Sequence, residues 1–167
     1  MADDPTLPRA APASSVVDNP WRQLRRYTPA RIALRRALNL AVDIPREINL
    51  ARRGQAIPAQ SPSVPHTTGY DAGYRSEMGE YSPAKARALL DMHGYVDRDG
   101  DGWREQPDGS PLLLNYATSP DQQSRQLNEQ WKKNMDAINV QMEFKVAKWP
   151  ENLKASRAGK LMMWGVA

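Results

Sequence analysis

Between residues 111 and 165 the chain alternates two hydrophobic periods, and this restricts the fold more than any other feature. In Pro111 to Ala117, Leu112, Leu114 and Tyr116 share one face of a strand-like run, while Leu113 and Ala117 are apolar on the other. Apolar residues on both faces predict a central strand. Leu127, Trp131, Met135 and Ile138 then fall on one helical stripe within residues 120–137, opened by Pro120. Val140, Met142, Phe144 and Val146 alternate with Gln141, Glu143 and Lys145, the pattern of a half-buried strand. Trp149 and Pro150 open a further helix that ends at Gly159, and Lys160 to Gly165 reads as a last strand. Strand–helix–strand–helix–strand with connections of this length favours right-handed crossovers and a parallel or mixed sheet with helices against it. The fold class is α/β.

The upstream half supplies helices that can pack on such a sheet. Thr28 is a cap, Pro29 suits the first helical position, and Ile32, Leu34, Ala37, Leu38, Ala41 and Val42 form a broad apolar face. Pro45 ends or kinks this helix, and a second, short one runs to Arg53 and stops at Gly54. Residues 55–80 carry three prolines and three glycines and read as a long irregular loop. Ser82 and Pro83 open a third helix, with Ala86, Leu89, Leu90 and His93 on one face and Gly94 in the position that closes a helix. Trp103 to Glu105 reads as a short strand and Pro107-Asp108-Gly109 as a turn. Residues 1–25, rich in Pro, Ala, Ser and Asp, read as disordered, leaving 26–167 as a single lobe.

Several function classes drop out. The chain has no cysteine, which excludes disulfides, thiol catalysis and zinc–thiolate sites. No window of about 18 apolar residues exists, so no membrane-spanning helix is encoded. The first residues are acidic and lack the apolar core of a secretory signal peptide. Nine arginines lie between residues 21 and 53 and the net charge is +4. No nucleic-acid-binding signature accompanies them, so Arg35, Arg36, Arg52 and Arg53 read as a solvated helix face. The two histidines, His66 and His93, have no nucleophile or acid arranged around them, and none of the common catalytic motifs is present; the chain reads as a non-enzyme.

Two features remain as candidate sites. Asp97, Asp99, Asp101 and Gly102 match the start of a calcium-binding EF-hand loop, with Asp108 at the twelfth position. Arg104 falls where that loop wants an apolar residue, Pro107 precedes Asp108, and no helix follows. A structural turn made of the usual turn residues is the leading interpretation, with a calcium-binding or interaction module as the alternative. Among the tryptophans, the spacing of Trp131 favours the core, Trp149 could line a cleft, and Trp164 ends a strand, where open α/β sheets place ligand contacts.

Read in order, LRRALNLAVDIPREI, the loop with GYDAGY, YSPAKARALLDMHGYVDRDGDGWREQPDGSPLLLNYAT and LNEQWKKNMDAINVQMEFKVAKWPENLKASRAGKLMMWG resemble a known family. They are similar to the extracellular solute-binding proteins of the oligopeptide, dipeptide and nickel class that serve ABC importers, over residues 31 to 165. The resemblance implies part of the C-terminal lobe of a type II periplasmic-binding-protein fold, a peptide or small solute as ligand, and a membrane permease as partner. It implies a periplasmic location, and weak or no binding by this portion alone. In the family a tryptophan with a following acid contacts the ligand. Either Trp164 is that tryptophan, with Ala167 standing where the acid belongs, or the motif lies past Ala167, the reading we favour. The resemblance also makes the acidic turn a corner leading into a hairpin.

Overall fold

The computed structural model describes residues 27–165. The disorder expected for residues 1–25 lies outside the described residues. Five α-helices and three strands follow in the order α1 (Pro29–Ala41), α2 (Ile44–Leu50), α3 (Pro83–Met92), β1 (Leu113–Thr118), α4 (Gln122–Asp136), β2 (Gln141–Val146), α5 (Trp149–Arg157) and β3 (Met163–Trp164). The strands form one sheet of order β2-β1-β3. Both pairings are parallel, Leu113 opposite Gln141 and Ala117 opposite Trp164. The strand that is apolar on both faces is thus the central one. Among the described residues no helix is long and apolar enough to cross a membrane.

Local chemistry sets the helix starts. The Thr28 hydroxyl accepts from the Arg31 N–H, the Asp43 carboxylate from Arg46, and the Ser82 hydroxyl from Lys85, each satisfying a donor that a helix leaves unpaired at its start. The fourth helix departs from expectation. It begins after Pro120, at Gln122, because the Asp121 carboxylate accepts from the Ser124 N–H at 2.8 Å. At the end of α3, Gly94 adopts φ +80°, and its C′ position sends the chain back so that the Tyr95 N–H reaches the Leu90 carbonyl at 3.0 Å.

One core joins the two halves. Leu34, Ala37 and Ala41 of α1 meet Ala86 and Leu90 of α3, Leu112 and Leu114 at the sheet, and Met135, Ile138 and Val140 from α4 and its turn into β2. Fully burying one such leucine contributes roughly 2 kcal/mol. Three sequence expectations fail at the margins of this core. Ile32 is 38% exposed, because it lies on the same side of α1 as the exposed Arg36 and Asn39; Ala33 and Leu40 are buried in its stead. Val146 is 60% exposed, at the end of an edge strand. Trp103 to Glu105 makes no strand: only Glu105 bridges, to Pro111. The Arg104 N–H instead binds the Asn139 carbonyl, and the Glu105 N–H the Val96 carbonyl, so no continuous ladder forms. The last strand is likewise short. The Gly159 and Lys160 N–H groups close the end of α5, which leaves Met163 and Trp164 to pair with β1.

Candidate functional site

Because the strands are parallel, their carboxyl ends share one edge of the sheet. α4 starts four residues after β1 ends and α5 starts three after β2, so both helix beginnings converge on that edge. An open groove of about 580 Å³ lies there. Its floor includes Tyr116, Thr118 and Gly165, and Asn128 and Trp149 form its sides. Arg52 reaches it from beyond the end of α2. This is where open α/β sheets bind ligands.

Buried polar groups hold the edge rigid. The Asn152 amide, 3% exposed, donates to the Thr118 carbonyl at 3.0 Å and to the Ala147 carbonyl at 3.1 Å, tying α5 to the ends of β1 and β2. The Ala147 N–H also donates to the Thr118 carbonyl. The Thr118 hydroxyl and the Asn128 side-chain amide are 3.2 Å apart and hydrogen-bonded across the floor. The Tyr116 ring packs against Trp131 at 5.4 Å and Phe144 at 6.0 Å between centroids. Burial, and secondarily the Glu47 carboxylate, push the Tyr116 phenol above its ordinary pKa, so it stays a neutral hydroxyl. Glu47 accepts from the Trp131 indole at 3.4 Å and lies 3.8 Å from Arg52.

Trp164 sits beside this groove. Its ring packs, tilted by 44°, at 5.0 Å on that of Trp149, which is about half exposed and lines the groove, so Trp164 backs that aromatic side. Trp131 packs against the core, as its spacing suggested, with its indole N–H turned to Glu47. The groove's carboxylate, Asp121, has both oxygens engaged, by the Ser124 N–H and by its hydroxyl at 2.6 Å. The Ser124 hydroxyl and N–H hold that carboxyl below its ordinary pKa. The arrangement offers aromatic surface, hydroxyls, amides and one cation. That is equipment for binding; the hydroxyl–carboxylate pair it contains, Ser124 on Asp121, is the cap of α4. His66, in the long loop, and His93, at the end of α3, do not line it.

The acidic turn is a separate place. Carboxylate oxygens of Asp97, Asp99, Asp101 and Glu105 gather within 4.8 Å of one another. Asp108 does not join them; its carboxylate accepts from the Ser110 N–H and hydroxyl. Glu105 takes the place the motif assigned to Asp108. Each converging carboxylate also braces the loop. Asp97 accepts from the Gly100 and Gly102 N–H groups at 2.7 and 2.9 Å, Asp101 from Trp103 at 2.7 Å, and Glu105 from Arg98 at 2.7 Å. Gly100 and Gly102 have φ of +81° and +92°, a conformation that glycine adopts freely.

Sequence reasoning missed Thr118, Asn128, Asn152 and Arg52. Thr118 was within reach, since the residue after a central parallel strand falls at the ligand edge. Arg52 was not: α2 ends at Leu50, before the expected Arg53, and no spacing in the sequence brings the residues after it to the start of α4.

The family profile of bacterial extracellular solute-binding proteins, family 5, middle region, matches residues 17–167. Solved structures with the same fold include the oligopeptide-binding protein AppA of Bacillus subtilis in complex with a nonapeptide, at 21% identity and TM-score 0.66. That match covers 73% of this chain and 24% of AppA. The oligopeptide-binding protein OppA matches at 24% identity and TM-score 0.70, over 81% of this chain and 22% of OppA. NikA of Brucella suis, in complex with Fe(III)-EDTA, matches at 22% identity and TM-score 0.69, over 80% of this chain and 26% of NikA. The architecture is that of a lobe of the type II periplasmic-binding-protein fold. A partial sequence likeness of 33% over 105 residues joins the chain to the ethanolamine ammonia-lyase small subunit of Pseudomonas fluorescens, covering 60% of this chain and 36% of that protein. The chain thus spans about a third of the length of the curated relatives it matches, and about a quarter of these solved chains.

Proposed function

The chain belongs to the bacterial extracellular solute-binding proteins, family 5, and we propose that it supplies one wall of the solute cleft of an ABC-type importer's binding component. The solute is a peptide or a comparably sized polar molecule. It lies along the carboxyl edge of the sheet, against Trp149 and Trp164, with the hydroxyl of Thr118 and the amide of Asn128 as hydrogen-bonding partners. The partner of the whole protein is a membrane permease, and its place is outside the cytoplasmic membrane. The protein binds and releases its solute without turning it over.

The observation that carries this reading is the groove of about 580 Å³ at the carboxyl ends of a parallel sheet, lined by Trp149, in a fold shared with peptide-binding relatives. The likeness to ammonia-lyase small subunits stops at 60% of the chain. The convergence of Asp97, Asp99, Asp101 and Glu105 favours a calcium-binding module as a second reading. Those carboxylates already accept the loop's own N–H groups, which favours a structural corner instead. These 167 residues bind weakly by themselves, since one wall desolvates only one side of a ligand.

Tryptophan fluorescence titrated with a mixture of short peptides tests the proposal. A saturable change in the millimolar range, lost in Trp149→Ala, is expected. No change with any peptide, in a chain whose far-UV spectrum is folded, refutes the groove as a solute site.

A further inference from the structure

Resting on that reading, we propose that the groove selects solutes carrying a negative charge at one end, and that Arg52 and Arg53 receive that charge. Arg52 and Gln123 line both the aromatic groove and a second open cleft of about 570 Å³, between the end of α2 and the first turns of α4. The two clefts therefore meet at Arg52. The second is lined by Arg52, Arg53 and the side-chain amides of Gln55, Gln122, Gln123 and Gln126, and no carboxylate lines it.

The charge lining the second cleft is of one sign. Arg53 is exposed, and its guanidinium makes no ion pair among the described residues. Arg52 faces Glu47 at 3.8 Å in a partly exposed pair, an arrangement weak enough for a ligand to compete with. The carboxylate in the aromatic groove, Asp121, keeps its charge, with both oxygens turned to Ser124 at the start of α4. The turn also fixes where the arginines stand. Arg53 and Gly54 have φ of +52° and +73°, and the Gly54 N–H closes onto the Ile48 carbonyl at 2.9 Å. Arginines at the end of a short helix also suit its dipole. That accounts for their presence there but not for the amide-lined cleft they face. An apolar group against Trp149, and a carboxylate at Arg52 and Arg53 with the glutamine amides between them, satisfies the whole path. A cationic end in the same place meets two like charges. The carboxylate has two sources, a peptide's C-terminus or an acidic side chain.

The test uses this chain, labelled with nitrogen-15, and three probes: acetyl-Phe-Gly-Gly as the free acid, the same peptide as its C-terminal amide, and acetyl-Phe-Gly-Glu amide. At low ionic strength the free acid should shift the Trp149 and Trp164 indole signals and the Gln123 side-chain signals. It should bind about fivefold more tightly than the amide. The difference should shrink at about 0.5 M salt. Arg53→Gln should weaken the acid and leave the amide unchanged, and Arg52→Gln should weaken the acid more than the amide. If the glutamyl amide binds like the free acid, a side-chain carboxylate serves; if it binds like the simple amide, the site takes a chain terminus. Equal indole shifts from acid and amide, with Arg53→Gln silent, overturn the charge selection and leave the groove standing. If no probe moves the indoles, the selection and the groove fall together.

Discussion

Replacing Arg104 should be among the most damaging single changes in this chain. The residue is only 8% exposed although charged. Its Nε donates to the Ile138 carbonyl at 2.8 Å, and one terminal nitrogen donates to the Tyr95 carbonyl and to the Asp91 carboxylate. It thus buckles the acidic corner to the ends of α3 and α4. Hydrogen bonds from a charged donor contribute roughly 1.5–3 kcal/mol each. Two of the acceptors are carbonyls that Arg104→Ala would leave without this donor. The Asp91 side chain is 56% exposed, so that ion pair contributes less than about 1 kcal/mol. Arg104→Ala should therefore cost about 3–4 kcal/mol, a large part of a small domain's stability. Arg104→Lys should cost about 2 kcal/mol, since one ammonium cannot reproduce the fork. Asp91→Ala should cost about 0.5 kcal/mol. Urea unfolding followed by far-UV circular dichroism, with the slope unchanged between variants, measures all three. The reasoning is refuted if Asp91→Ala costs as much as Arg104→Ala, because the ion pair and not the carbonyls would then carry the buckle. It is refuted equally if Arg104→Ala costs less than about 1 kcal/mol.

Three further outcomes follow from particular contacts. A Cβ at residue 165 would overlap the Tyr116 hydroxyl but lie 3.4 Å from the ring carbon that bears it. Gly165→Ala should therefore disturb the Trp149–Trp164 packing seen in near-ultraviolet dichroism, and adding Tyr116→Phe should restore it. Ser110 holds the Asp108 carboxyl below its ordinary pKa of 3.8. A depressed folded-state value means that this contribution is complete above the ordinary pKa and is lost as pH falls through the depressed one. A carbon-13 titration should place the Asp108 midpoint below 3.8, and Ser110→Ala should raise it. Calcium added to about 5 mM should leave the backbone amides of residues 97–105 unshifted; a saturable shift would instead make the acidic corner a cation site.

The sequence disclosed most where one residue decides with its near neighbours. The caps at Thr28 and Ser82 need a partner only three residues away, and both form. The double-faced strand at 113–118 announces its central place by composition alone. Trp103 to Glu105 failed for the opposite reason. Its residues look extended, but their N–H groups are taken by Asn139 and Val96, which sequence order does not bring near. Arg104 counted only as a poor fit to a calcium loop; that misfit is the residue that fastens the corner. For the candidate groove, its place at the strand ends was legible, and the structure packs Trp164 against Trp149, which lines it. Arg52 was hidden, since α2 meets α4 through contacts such as Gln130 to Asp43, 87 residues apart.

That last separation bears on the order of folding. β1 and β2 pair residues 28 positions apart through a single crossover helix, a short excursion for the chain. Docking α2 on α4 must in addition close the irregular segment 55–80, whose ordering is slow to be rewarded. The sheet should therefore assemble in the folding transition state, with the α2 contacts added afterwards. Changes at Glu47 or Gln130 would then speed unfolding while leaving the folding rate nearly untouched. The wall that carries Arg52 would be the last part of the groove to arrive and the first to leave.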